Sequence, residues 1–355
     1  MEETKAPDLD EHIYDVIIVG AGFAGLSAAL YFRDCGINNI LVLEADDRIG
    51  GRVLTKYITI DDKQCQVDIG AAYSGPKQNR TLNMADRFGV KLYKAIDAST
   101  GYSILNYSGK IQIMDNIMGI IKNFWNFIDI NYGIQQINKL VEQIPKMDDE
   151  MLRKYDSITF QNWAESIMSH NKFVQDFLCS TMELITCTNP SQISMLTSIE
   201  EFTAAGSVEA ETASQAYKFH GGTYSIATKM MKEINKDGDK IRLNHIVTSL
   251  DHNDEKVSII KCDNGKVFTC KYTMICTPPN RYKSIQFKPS LSWERISVTN
   301  QMIQGHIVRV YVFYKTAFWR DNGLSGFSMT CGDAYHNTDQ YPIIGSNEDT
   351  KPDGT

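Results

Sequence analysis

Between Asp15 and Arg52 the chain reads DVIIVGAGFAGLSAALYFRDCGINNILVLEADDRIGGR, and no other run constrains the fold as strongly. An apolar stretch, Val16 to Val19, enters a Gly-x-Gly-x-x-Gly turn at Gly20, Gly22 and Gly25. An Ala/Leu-rich helical pattern follows, then a second apolar stretch, Ile40 to Leu43, that ends in Glu44. The order strand, glycine turn, helix, strand, acid gives a weak glycine pattern its meaning. Gly20 permits the tight turn, Gly22 lets backbone approach a pyrophosphate, and Gly25 lets helix and strand pack closely. The helix start supplies free N–H groups and the positive end of the helix dipole. Glu44, 19 residues beyond Gly25, is placed to accept hydrogen bonds from an adenosine ribose. The segment predicts an adenine-dinucleotide site. At this level a nicotinamide and a flavin dinucleotide both remain open.

The next residues add a second element. Arg48, Gly50, Gly51 and Arg52 follow the second strand directly. Two glycines allow close backbone approach, and a guanidinium offers paired N–H donors to a diphosphate. A nicotinamide site does not need this element, so it favours FAD.

Several function classes are excluded early. A net charge of −7 over 355 residues leaves no footprint for nucleic acid. No Lys/Arg block suggests an anionic membrane surface. The longest uncharged stretch, Val16 to Phe32, has 17 residues and three glycines, whereas a spanning helix needs about 20 apolar residues. The polar, charged N-terminus has no secretory or transit character. Eight scattered cysteines contain no C-x-x-C pair, so neither a metal site nor a redox pair is expected, and the setting reads as reducing.

Along the chain, a helix is expected from Asn79 to Gly89, with Asn79 as its cap, and others around Trp163, Ile167 and Phe173 to Leu178. Asn189-Pro190-Ser191 breaks the pattern, with Ser191 starting another helix. Thr223 to Ile234 reads as a helix. Strands are expected at Ile246 to Leu250, Val257 to Cys262, Val267 to Cys270 and Tyr272 to Cys276, with Asp263-Asn264-Gly265 as a hairpin turn. A long strand covered on both faces is expected at Ile307 to Phe313.

Longer segments carry a family resemblance. LEADDRIGGR (Leu43 to Arg52) resembles the corresponding segment of flavin-containing amine oxidases. GPKQNR (Gly75 to Arg80), KFHGG (Lys218 to Gly222), YKTAFWR (Tyr314 to Arg320) and DTKPDG (Asp349 to Gly354) resemble monoamine oxidase segments, in the same order. The resemblance implies an α/β (α+β) fold in which a Rossmann-like FAD-binding domain, 1–77 and 215–285, is interrupted by a mixed helical and sheet substrate domain, 78–214 and 286–355. It places Gly20, Gly22, Gly25, Glu44, Arg52, Gly70, Ala71, Tyr73 and the backbone of Val247 along FAD. Leu184, Ile185, Val208 and Gln215 match positions of the amine pocket; Val208 lies in a weakly matching stretch, SVEAETAS.

The implied activity is oxidative deamination of primary or secondary monoamines, with O2 reduced to H2O2. The implied partners are a small amine, O2 and a second copy of the chain. The implied location is the mitochondrial outer membrane, facing the cytosol, through a C-terminal helix not present here; this chain alone reads as cytosolic. Two departures stand out. Arg309 occupies the place of a family lysine beside the flavin, a substitution that is not conservative because a guanidinium stays charged; its alternative reading is a surface arginine. The chain also stops at Lys351-Pro-Asp-Gly-Thr355, within the family pattern, before the cysteine that bonds flavin and the tyrosines that flank the amine. An impaired or non-catalytic relative, and a polyamine or amino-acid oxidase, therefore stand as alternatives.

Overall fold

The computed structural model describes residues 8–95, 101–114, 124–254, 256–302 and 304–332. The chain divides into two compact units, Met1–Ala95 with Ala213–Gln304, and Ile96–Thr212 with Gly305–Thr355. The divisions after Ala95 and Gln304 fall later in the chain than the expected ones at 77 and 285, and the one before Ala213 falls two residues earlier than expected.

The first unit is built on β1 (Asp8–Val19), α1 (Phe23–Asp34) and β2 (Ile40–Leu43). β1 and β2 run parallel, with Val16 opposite Ile40 and Val19 opposite Leu43. They lie inside a seven-stranded sheet with the order Gln286–Lys288, Val247–Asp251, Ser258–Cys262, Lys266–Ile275, β1, β2, Ile241–Arg242. Strand alternation splits the apolar runs between two cores. Val16, Ile18, Ile40 and Val42 pack with α1 and the helix Tyr224–Ile234. Ile17, Val19, Leu41 and Leu43 pack with Val247, Leu250, Ile260 and Phe268 on the other side. Both faces are covered, which is why these strands read as continuous apolar runs. Each fully buried Ile or Leu contributes about 1.5–3 kcal/mol.

The meander forms as the sequence predicts, with Gly265 at φ +83° in the turn after Cys262. The expected strands Val267–Cys270 and Tyr272–Cys276 are one strand, Lys266–Ile275, because β1 pairs along its whole length from Lys266 to Ile275. The helix Asn79–Arg87 takes Asn79 as its first residue, and Gln78 precedes it without a side-chain capping bond. Its Arg87 holds Asp34 at the end of α1 through two hydrogen bonds of 2.6 and 2.8 Å.

The second unit is mainly helical. Phe124–Gln143, Asp149–Asp156, Phe160–Ile167, Lys172–Thr186 and Met195–Ala205 surround a core that includes Ile137, Phe160, Trp163, Met182 and Phe202. Four of these helices are capped by side chains: Asp148, Thr159, Asn171 and Ser194 accept N–H bonds from Met151, Asn162, Val174 and Thr197. Ser194, three residues beyond Ser191, therefore starts the helix; Ser191 lies in a short 3-10 turn, Pro190–Gln192. A three-stranded sheet, Leu324–Cys331, Tyr102–Tyr107 and Lys110–Met114, completes the unit.

The expected strand Ile307–Phe313 does not form. Residues 304–314 have no regular secondary structure. Val308 and Val310 are 89% and 81% exposed. The apolar run is present, but no strand among the described residues pairs with it, and a strand exists only through its neighbour's hydrogen bonds.

Candidate functional site: a nucleotide cleft in the first unit

The ends of β1 and β2 open into a cleft of about 720 Å³, of the size that holds a small-molecule cofactor. Its floor is the glycine turn. Gly25 sits where only glycine fits: a Cβ there would lie 1.8 Å from the Gly20 carbonyl oxygen. Gly22 differs. A Cβ there would meet no protein atom within 4 Å. The space in front of Gly22 is thus kept clear of side chains although the fold does not demand it. No side chain caps α1 and no acid lies in its first turn, so its first amides can serve an anion. Gly22, Phe23 and Ala24 all line the cleft.

The Gly50–Gly51 turn braces this floor. Gly50 donates its N–H to the Ala21 carbonyl at 2.8 Å, at a φ of +95° that favours glycine. Arg48 locks the turn from behind. Its guanidinium donates to the carbonyls of Ile49, Gly51 and Val53 at 3.1, 3.0 and 3.4 Å and lies 3.3 Å from the Asp46 carboxylate. Arg48 therefore organises the loop, and it is absent from the cleft wall, where Arg52 is present. Arg52 is exposed, with no side-chain partner among the described residues.

Glu44 lines the cleft at the end of β2. Its carboxylate accepts N–H bonds from Ala21 at 2.6 Å and Asp46 at 3.0 Å. Two lone pairs remain for ribose hydroxyls. Ile246 and Val247 lie along the same cleft, as do Gly20, Gly50 and Gly51.

Other expected residues lie elsewhere in the first unit. Gly70 and Ala71 do not line the cleft; their N–H groups donate to Leu54 and Arg52 carbonyls at 3.0 and 3.1 Å. Tyr73 is 40% exposed, with the Lys218 ammonium 5.0 Å from its ring centre. Gln215 is exposed, in the short turn Ala213–Gln215. In the second unit, Leu184 is 60% exposed, whereas Ile185 and Val208 pack on the helical core. Arg309 is exposed within the segment that lacks regular structure. The motif Asp349 to Gly354 lies outside the described residues.

The cleft also contains residues that sequence reasoning missed. His245 meets the Leu243 carbonyl through Nδ1 at 2.7 Å, and its backbone N–H donates to the Glu44 backbone carbonyl at 2.8 Å. The Thr277 hydroxyl oxygen is buried without a partner among the described residues. Arg281 reaches the cleft from the turn after Ile275. More than 200 residues separate these groups from the glycine turn; the pairing of β1 with Lys266–Ile275 brings in Thr277 and Arg281, and the pairing of β2 with Ile241–Arg242 brings in His245. Open space at Gly22, an orphaned hydroxyl, free guanidinium groups and a ribose-ready carboxylate together suit an adenine dinucleotide.

Comparisons with known proteins agree. The family described as flavin-containing amine oxidoreductase matches residues 23–349, and the chain belongs to that family. Its dinucleotide is accordingly FAD. The chain is 30% identical over 351 residues to a flavin-containing amine oxidase of Danio rerio, covering 96% of this chain and 64% of the relative. It is 27% identical over 366 residues to the flavin-containing amine oxidase A of Canis lupus familiaris, covering 100% and 66%. The chain thus spans about two-thirds of the length of these relatives. Among solved structures, a cofactor-binding redesign of putrescine oxidase superposes with a TM-score of 0.79 at 25% identity, over 91% of this chain and 70% of that one. A cyclohexylamine oxidase from Brevibacterium oxydans shares the fold, with a TM-score of 0.78 at 20% identity over the same shares. Among the described residues no helix is long and apolar enough to cross a membrane.

Proposed function

We propose that the protein to which this chain belongs oxidises small primary or secondary monoamines with FAD and O2. The carrying observation is the cleft that pairs a side-chain-free floor at Gly22 with Glu44 and an Arg52 that has no side-chain partner among the described residues. In this reading the first unit is the FAD-binding domain and the second covers the substrate. The overall change is amine plus O2 plus water to aldehyde plus ammonia (or a smaller amine) plus H2O2. FAD, when bound, supplies the two-electron chemistry by taking hydride from the carbon next to nitrogen and returning the electrons to O2.

The chain's own groups bind and orient. The first-turn amides of α1 hold the diphosphate with Arg52, and Glu44 accepts from the ribose. Gly70, Ala71, Tyr73 and the Val247 backbone continue that contact by resemblance. Leu184, Ile185, Val208 and Gln215 match amine-pocket positions by resemblance, and an apolar lining would favour the neutral amine by excluding water.

Arg309 favours a second reading, a relative that binds FAD with little turnover. A guanidinium cannot give up its proton as a lysine can. One experiment separates these readings: flavin absorbance near 450 nm on the purified chain, with peroxide release from phenylethylamine, spermine and leucine. A yellow protein that bleaches with phenylethylamine supports the proposal. A yellow protein that no amine bleaches favours the second reading. A colourless protein that takes up no FAD refutes both.

A further inference from the structure

The charge balance of the cleft leaves a gap that one residue fills. A dinucleotide brings two phosphates, each ionised at neutral pH. Of the three guanidinium groups near the cleft, Arg48 is spent on three carbonyls and Asp46. Glu44 adds a negative charge of its own, eased by two amide bonds. Arg52 alone then faces a dianion beside a carboxylate. An anion taken from water needs paired donors, or its desolvation is left uncompensated.

The remaining cation is Arg281. It lines the same cleft as Gly20, Gly22 and Arg52, and its side chain has no hydrogen-bond or ion-pair partner among the described residues. Its backbone is held: the Arg281 N–H donates to the Pro278 carbonyl at 2.9 Å, in a turn that opens with Pro278 and Pro279. That turn is fastened to the glycine floor. Cys276 donates to the Val19 carbonyl at 2.8 Å, and a Cβ on Gly20 would lie 3.2 Å from the Cys276 carbonyl oxygen. The same wall carries one buried hydroxyl without a partner among the described residues, Thr277 Oγ1. A held backbone, a guanidinium without a partner among the described residues and an orphaned hydroxyl on one wall are the features of a built polar site.

We infer that Arg281 is a second diphosphate-binding residue, complementing Arg52. The assignment rests on the flavin reading above. Nothing in the local sequence marks it, because the strand that precedes it ends in an ordinary Thr-Pro-Pro turn.

Calorimetric titration of the whole chain, stripped of flavin, with FAD, ADP and adenosine tests this directly. Arg281→Gln is expected to weaken FAD and ADP about tenfold, the lower end for a hydrogen bond to a charged group, and to leave adenosine unchanged. Arg281→Lys keeps the charge and recovers part of the loss. Because the side chain makes no protein contact of this kind, the melting temperature without ligand should not move, and that control shows that the variant is folded. Equal FAD and ADP affinity in Arg281→Gln and parent overturns the inference while leaving the flavin reading intact. An equal loss for adenosine also overturns it, since the effect would not be on phosphate. A parent chain that binds neither FAD nor ADP overturns the flavin reading, and this inference falls with it.

Discussion

Replacing Gly22 with alanine separates the two roles of the glycine turn. In the free chain the substitution is nearly silent. Gly22 has φ −71° and ψ −179°, which alanine adopts readily, and its Cβ would meet no protein atom within 4 Å. Alanine is a poorer helix cap than glycine by about 0.5 kcal/mol. A less flexible unfolded chain offsets this by about 0.4–1 kcal/mol. The net change is within about 0.5 kcal/mol, or a melting shift of about 2 °C or less. The bound state differs, because a methyl group holds a partner atom about 3.5–4.0 Å away, whereas an amide hydrogen bond to phosphate spans about 2.7–2.9 Å. The methyl therefore lengthens or breaks at least one charge-assisted bond, worth about 1.5–3 kcal/mol. FAD affinity should fall about 10- to 100-fold, read by flavin fluorescence during titration of the flavin-free protein. Gly25→Ala is the opposite control: a Cβ 1.8 Å from the Gly20 carbonyl oxygen must displace backbone, so the fold itself is lost first. A folded Gly22→Ala protein that binds FAD within twofold of the parent refutes the placement of the diphosphate.

Other perturbations divide along the same lines. Arg48→Ala should lower the melting temperature of the free chain, because three carbonyls of the Gly50–Gly51 turn lose a donor, whereas Arg52→Ala should leave melting unchanged and weaken FAD; thermal scans with and without FAD distinguish them. The Arg87 guanidinium holds the Asp34 carboxyl below its ordinary value of 3.8. Its contribution is therefore present above that pH and lost as pH falls through the lowered value; the stability gap between parent and Asp34→Asn, a few tenths of a kcal/mol for so exposed a pair, should close in acid denaturation series. Burial pushes the Cys179 and Cys262 thiols up to about 12, while Cys35 is exposed. Mass spectrometry after brief iodoacetamide treatment at pH 8 should find Cys35 modified before either.

Local patterns revealed what local forces decide. The spacing from Val16 to Glu44 described β1, α1, β2 and the acid because each depends on neighbours within a few residues. The Asp263-Asn264-Gly265 turn did so for the same reason. Ile307 to Phe313 shows the limit. Its β-branched and aromatic run is that of a strand, yet whether a strand forms rests on a partner that the run itself cannot encode. Arg48 shows a second limit. Composition puts a guanidinium beside a glycine pair, but only the turn's geometry shows that its donors go to carbonyls behind the loop. Arg281, Thr277 and His245 reach the cleft through sheet order, which places Lys266–Ile275 beside β1 and Ile241–Arg242 beside β2 across about 200 residues or more.

The central claim is that the amides opening α1 and the guanidinium groups beside them grip the diphosphate of FAD. Calorimetry on the flavin-free, folded chain addresses it most directly. The account predicts saturable binding of one FAD per chain, competed by ADP and not by riboflavin. A folded chain that releases no heat with FAD, or that binds riboflavin as tightly as FAD, contradicts it.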